Sequence, residues 1–158
     1  MDSLEELKKV CMTCTKCGLC KTRKNVVFGV GNPQADIMFV GEGPGEQEDL
    51  SGKPFVGPAG KLLDDMTRDY NCYIANIVKC RPPKNRDPEE VEQEACIGYL
   101  REQIRLIQPK IVVCLGRIAA QKLMDPNLRI TRSQGTWYQD DGIWYTAMYH
   151  PSALLRDV

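Results

Sequence analysis

Apolar runs and polar, glycine-rich breaks divide the chain into strand and helix lengths. Ser3 and Glu6 have capping-box spacing, which predicts a short helix to about Cys11. ADIMFVGEGPG predicts a buried strand over Ile37–Val40 that stops at Gly41. PAGKLLDDMTRDY, following Gly57, predicts a helix with Leu62, Leu63 and Met66 on its apolar side. CYIANIVKC predicts a second strand, and the polar RPPKNRDP cannot continue it. Pro88 suits the first turn of a long helix in which Ile97, Leu100, Ile104 and Ile107 recur at helical spacing. KIVVCLG predicts a third strand, with a helix in GRIAAQKLM after it. Asp141-Gly142 marks a turn before a fourth apolar strand that leads into His150.

This alternation predicts an α/β fold: a three-layer α/β/α sandwich around a central four-stranded parallel sheet, in a single domain over residues 1–158. In such sheets ligands bind beyond the carboxyl ends of the strands. That rule selects GEGPG, the segment from Asn76 to Cys80, and His150-Pro151-Ser152.

Composition adds limits. With 158 residues, 42% hydrophobic and 27% charged, the chain is long enough for a core that needs no staples. Lys plus Arg equals Asp plus Glu, so a nucleic-acid partner would need a local basic patch. No apolar run approaches the roughly 20 residues of a membrane span. The acidic, helical MDSLEELKKV does not read as a signal peptide. Eight cysteines without an export signal fit a reducing cytoplasm, where metal or cluster binding is expected before disulfides.

Four of those cysteines, Cys11, Cys14, Cys17 and Cys20, stand two residues apart in CMTCTKCGLC. Cys80 closes the second strand and Cys96 lies within the long helix, on either side of a charged loop. Cys72 and Cys114 read as structural thiols inside strands. A C-x-x-C pair with two remote cysteines suits either Zn(II) or a [4Fe-4S] cluster, and spacing leaves both open. A bacterial ferredoxin box does not fit: its fourth cysteine comes one residue later and is followed by proline.

GEGPGEQED places Glu42, Glu46 and Glu48 at a strand end beside approachable backbone, as turn chemistry or as a place to orient a water or polar ligand. His150 is the single histidine. Beyond it, Leu154, Leu155 and Arg156 are a candidate wedge for unstacking a duplex; packing on a further helix is the plain alternative.

Together GEGPGEQED, GKPFVGPAGKLLD, YIANIVKCRPPKNRDP, PKIVVCLG and YHPSALLR, in this order and with the cysteine framework, resemble the family 4 uracil-DNA glycosylases, from about Cys14 to Arg156. The resemblance implies a [4Fe-4S] cluster on Cys14, Cys17, Cys80 and Cys96, with Cys11 and Cys20 as extras. It implies uracil-containing DNA as partner, a flipped nucleotide and hydrolysis of the N-glycosidic bond. Phe55 would stack on the uracil, Asn76 would read its Watson–Crick edge, and His150 would bond O2 of the leaving base. Glu42, with the backbone of Gly41 and Gly43, would line the pocket and position the water, with Glu48 in support. Leu154, Leu155 and Arg156 would enter the minor groove, and Lys79, Arg81, Lys84 and Arg86 would meet phosphates. A monomer without membrane attachment is expected.

Two departures accompany it. Family 1 enzymes carry GQDPY at this strand end, whereas Gly43 and Gly45 occupy the aspartate and tyrosine positions here. Relatives usually continue past HPS-x-LLR into a terminal helix, which is expected to be absent here. Two rival functions remain: a non-catalytic cluster- or zinc-containing nucleic-acid-binding module, and a relative that traps uracil-DNA covalently through a histidine. RPPKNRDP has no histidine for the latter.

Overall fold

The computed structural model describes residues 3–68, 70–129 and 136–151. Its strands are β1 (Val30–Gly31), β2 (Ile37–Gly41), β3 (Cys72–Asn76), β4 (Ile111–Leu115), β5 (Trp137–Asp140) and β6 (Ile143–Met148), in one sheet of order β1-β3-β2-β4-β6-β5. The four inner strands run parallel, as the alternation predicts. Both edges are antiparallel additions absent from the sequence expectation. β1 is two residues long, and Gly31 lies so close to the Cys72 carbonyl that no Cβ fits there. β5 is exposed along its length and so carries no apolar alternation. The turn at Asp141 and Gly142 does form, both at positive φ (51° and 81°), and closes the β5–β6 hairpin.

The helices are α1 (Leu4–Met12), α2 (Glu46–Ser51), α3 (Pro58–Thr67), α4 (Glu90–Ile107) and α5 (Arg117–Leu123). Ser3 Oγ caps α1 by accepting the Glu6 N–H at 3.2 Å. α4 begins two residues after Pro88. Glu89 is its extended N-cap, and the Glu92 carboxylate accepts the Glu89 N–H at 2.8 Å. α2 replaces what reads in sequence as a plain glycine-rich turn.

Inner-strand residues are buried on both faces. Met38, Val40, Val112 and Cys114 pack with Leu7 and Cys11 of α1, Ile97, Leu100, Ile104 and Ile107 of α4, and Ala119 and Ala120 of α5. Phe39, Val113 and Leu115 pack with Leu63 of α3 on the other face. These are the three layers. The Met66 side chain lies outside the described residues. Among the described residues no helix is long and apolar enough to cross a membrane.

Candidate active site and cysteine cavity

The parallel strands bring four carboxyl ends to one rim: Gly41 of β2, Asn76 of β3, Gly116 just past β4, and His150 just past β6. The chain order of the inner strands reverses between β2 and β4, the switch point at which such sheets open a crevice. A cleft of about 510 Å³ lies there, lined by Glu42, Phe55, Asn76, Asn85 and His150 among others.

Asn76 is 2% exposed, and its buried Oδ1 has no hydrogen-bond partner among the described residues. An orphaned buried acceptor is costly, which makes this wall of the cleft a receptor for a donor. A Cβ on Gly41 would stand 2.5 Å from both Asn76 Oδ1 and Phe55 Cζ, so glycine lets amide and ring meet the strand backbone.

Phe55 has a positive φ of 52°, strain held by its surroundings. Glu48 is one support: Oε2 accepts the Val56 N–H at 3.1 Å while Oε1 accepts the Gly45 N–H at 2.9 Å. Its carboxylate therefore staples the loop that carries Phe55. Gly60 is another support, because a Cβ there would overlap the Phe55 carbonyl. The Phe55 ring stacks beside His150, with centroids 5.6 Å apart and planes at 28°.

Glu42 points toward the start of α5, where Oε2 accepts the Ile118 N–H at 3.2 Å. Burial raises its carboxyl above the ordinary range; the Ile118 bond opposes the shift and Asp87 adds to it. Gly116, at φ 95°, fits between the two functional candidates: a Cβ there would be 2.9 Å from Glu42 Oε2 and 3.4 Å from His150 Cβ. Sequence reasoning missed Gly116, although the strand-end rule that selects Asn76 applies equally to the end of KIVVCLG.

A second cavity is lined by Cys11, Cys14, Cys17, Cys20, Cys80 and Cys96, with Arg23, Lys79 and Tyr99. All eight cysteines are free thiols. Among the described residues no three His, Cys, Asp or Glu side chains close around a single point as ligands to one ion. Donors already face three of the four sulfurs expected to be ligands. The Lys16 N–H reaches Cys14 Sγ at 3.5 Å, Arg23 Nη1 reaches Cys80 Sγ at 3.4 Å, and the Lys79 N–H reaches Cys96 Sγ at 3.2 Å. Soft sulfur ligands with N–H donors aimed at them fit an iron–sulfur cluster. Burial pushes the Cys96 thiol up to about 11 and Cys80 in the same direction; a bound cation reverses that preference.

The expected phosphate contacts fare differently. Lys79 is a correction: at 1% exposure it is buried in the core, its amine on the Asn76 carbonyl and the Gln103 side chain, and no phosphate reaches it. Burial pulls that amine down to about 8, against the opposing pull of Cys96 and Cys11. Arg86 forks onto Glu92 with two bonds of 2.8 Å, and Arg81 Nε donates to Asn85 Oδ1 at 2.8 Å. Lys84 is exposed, in a tight turn where it and Asn85 take φ of 56° and 57°. Leu154, Leu155 and Arg156 lie outside the described residues.

A family model described as the uracil DNA glycosylase superfamily matches residues 28–158. A type-4 uracil-DNA glycosylase of Archaeoglobus fulgidus is 47% identical over 98% of this chain and 84% of its own length. Those of Sulfurisphaera tokodaii and Thermotoga maritima are 47% and 44% identical, over 98% and 97% of this chain and 77% and 81% of their own lengths.

Proposed function

The chain belongs to the uracil-DNA glycosylase superfamily, among its type-4 members, and from that membership we propose how its cleft excises uracil from DNA. It is a hydrolase of N-glycosyl bonds acting in DNA repair. The observation that carries the mechanism is the unpartnered Oδ1 of Asn76 in the cleft wall. Uracil offers N3–H to that acceptor and O4 to the amide's N–H. Cytosine has an acceptor at N3 and a donor at C4, so it meets two like groups. A polar mismatch of this kind discriminates strongly.

The target nucleotide leaves the stack for the cleft, where Phe55 covers one face of the base. As the bond from C1′ to N1 breaks, its electron pair goes to the base and negative charge builds on O2. His150 donates a hydrogen bond there. Glu42, ionised, holds the water whose oxygen bonds to C1′, and the water's proton passes to solvent. The uracil anion takes a proton from solvent, and the products are free uracil and an abasic site. Gly43 and Gly45 leave this task to Glu42 because neither has a side chain that could do it. Gly41 and Gly43 admit the base close to the backbone, and Glu48 fixes the Phe55 loop. Lys84 is proposed to meet DNA phosphates together with the 154–156 wedge; Arg86 joins them through the face of its guanidinium not taken by Glu92.

Cys14, Cys17, Cys80 and Cys96 are proposed to hold a [4Fe-4S] cluster, with Cys11 and Cys20 beside it. When bound it would supply a four-point cross-link between the N-terminal segment, the segment that follows β3, and α4. The chain is further proposed to work as one domain over residues 1–158, as a cytoplasmic monomer, on uracil-containing DNA.

The test is incubation of cluster-loaded protein with a uracil-containing oligonucleotide, scored for free uracil and alkali-labile sites. Stoichiometric alkali-labile sites with a matched cytosine strand untouched are expected. Intact strands, or protein covalently attached to DNA, would overturn the reading.

A further inference from the structure

Lys79 is an unusual core residue. Its amine is fully buried, and none of the ion pairs among the described residues includes it. A buried amine without a carboxylate destabilises the fold relative to an apolar side chain of the same length. What it provides is direction. Nζ donates to the Asn76 carbonyl at 3.0 Å and to Gln103 Oε1 at 2.6 Å, and lies 5.8 Å from the centroid of the Phe28 ring.

Gln103, 0% exposed on α4, is fixed at its other end. Its Nε2 donates to the Phe28 carbonyl at 2.9 Å and to Tyr73 Oη at 3.3 Å, so its oxygen must face the amine. The Lys79 main chain is held as firmly: its N–H donates to Cys96 Sγ at 3.2 Å and its carbonyl accepts the Val27 N–H at 2.7 Å. The Asn76 carbonyl belongs to the last residue of β3, where the chain leaves the strand. On its other side the Ile77 N–H is tied to the Gly41 carbonyl at 2.9 Å. The peptide carrying the orphaned amide is therefore clamped from below by an amine and from beside by a strand.

We propose that Lys79, oriented by Gln103, is a positioning residue that aims the Asn76 amide at the uracil edge and ties that aim to the Cys96 side of the cysteine cavity. The proposal rests on Asn76 as the reader of uracil. Lys79 touches neither base nor water. Its effect on the base passes wholly through Asn76, which distinguishes it from a residue that merely supports the fold.

That difference is measured by a double-mutant cycle on inhibition by free uracil, using a uracil-containing oligonucleotide as substrate. Iron per protein and visible absorption are recorded for each variant. Lys79→Met is expected to keep the cluster and to weaken uracil inhibition about tenfold. Asn76→Ala is expected to weaken it at least as much, and Lys79→Met added to Asn76→Ala to change it no further. Additive effects, or unchanged inhibition in Lys79→Met, would overturn the proposal. If Asn76→Ala itself leaves inhibition unchanged, the reader assignment fails first and the brace falls with it. Should Lys79→Met not fold, Gln103→Met in the same cycle decides by the same non-additivity.

Discussion

Asn76 is a buried polar group and Glu42 a half-buried one, and their surroundings prepare them for opposite tasks. Asn76 keeps an acceptor with nothing to accept from, so substrate completes it. Asn76→Ala is expected to lower kcat/KM by about 100-fold or more, equivalent to roughly 3 kcal/mol of lost pairing, with little change in thermal stability. Glu42 is partly desolvated, and its raised carboxyl has a sign that can be followed. The folded state binds the proton more tightly than the unfolded chain. Its stability penalty is therefore absent below the ordinary carboxylate range, grows as pH rises through it, and is complete above the raised value. Glu42→Gln should thus melt higher than wild type at neutral pH while losing most activity. Wild-type kcat/KM should fall on acidification at a pH above the usual carboxylate range, and the acid limb should vanish in Glu42→Gln. A variant both less stable and unchanged in pH profile would remove Glu42 from the water site.

Elements place these residues, and small breaks in them matter most. Gly116 joins β4 to α5 at a φ of 95°, with Glu42 and His150 on either side of its missing Cβ. Gly116→Ala should add about 1–3 kcal/mol of backbone strain and push the Glu42 carboxylate away. The expected result is a kcat lower by about 100-fold with KM less affected, from steady-state kinetics on folded protein. The sequence made the four inner strands, the α1 cap and the apolar face of α4 legible, because each carries a strong period or a capping residue. The edge strands were not legible: β5 has no buried face to imprint a pattern, and β1 is made by a close approach to β3 that no local signal records. α2 hid behind its glycines, since its helix depends on Glu48 reaching back to the Gly45 N–H.

At the scale of the molecule, the cysteine cavity joins three parts distant in sequence: α1 with the following turn, the segment that follows β3, and α4. A cluster there closes long loops, and by analogy with other cross-links its removal should cost on the order of 3 kcal/mol, roughly 10 °C in melting temperature. Serine at Cys14, Cys17, Cys80 or Cys96 should abolish iron binding and expose residues 3–25 to protease. Serine at Cys11 or Cys20 should leave both iron content and proteolysis unchanged. Loss of iron from either of the latter would reassign the ligands.

The sequence alone determined the inner-strand alternation, the cysteine spacing and the strand ends at which chemistry collects, because these are local patterns or contiguous motifs. It also carried the family likeness, since GEGPGEQED, CRPPKNRDP and YHPSALLR are read residue by residue. Only the tertiary structure decided which polar groups are exposed. Lys79 reads as one more cation in a basic loop, yet it lies under Asn76, because the β3 exit turns it inward onto Gln103 of α4. Glu48 reads as a third carboxylate at the site, and its two bonds make it the fastening of the Phe55 loop. Gly116 acquires meaning only when β4 lies between β2 and β6. Each of these depends on neighbours dozens of residues away, and burial and partnership are properties of the packed sheet rather than of any segment of chain.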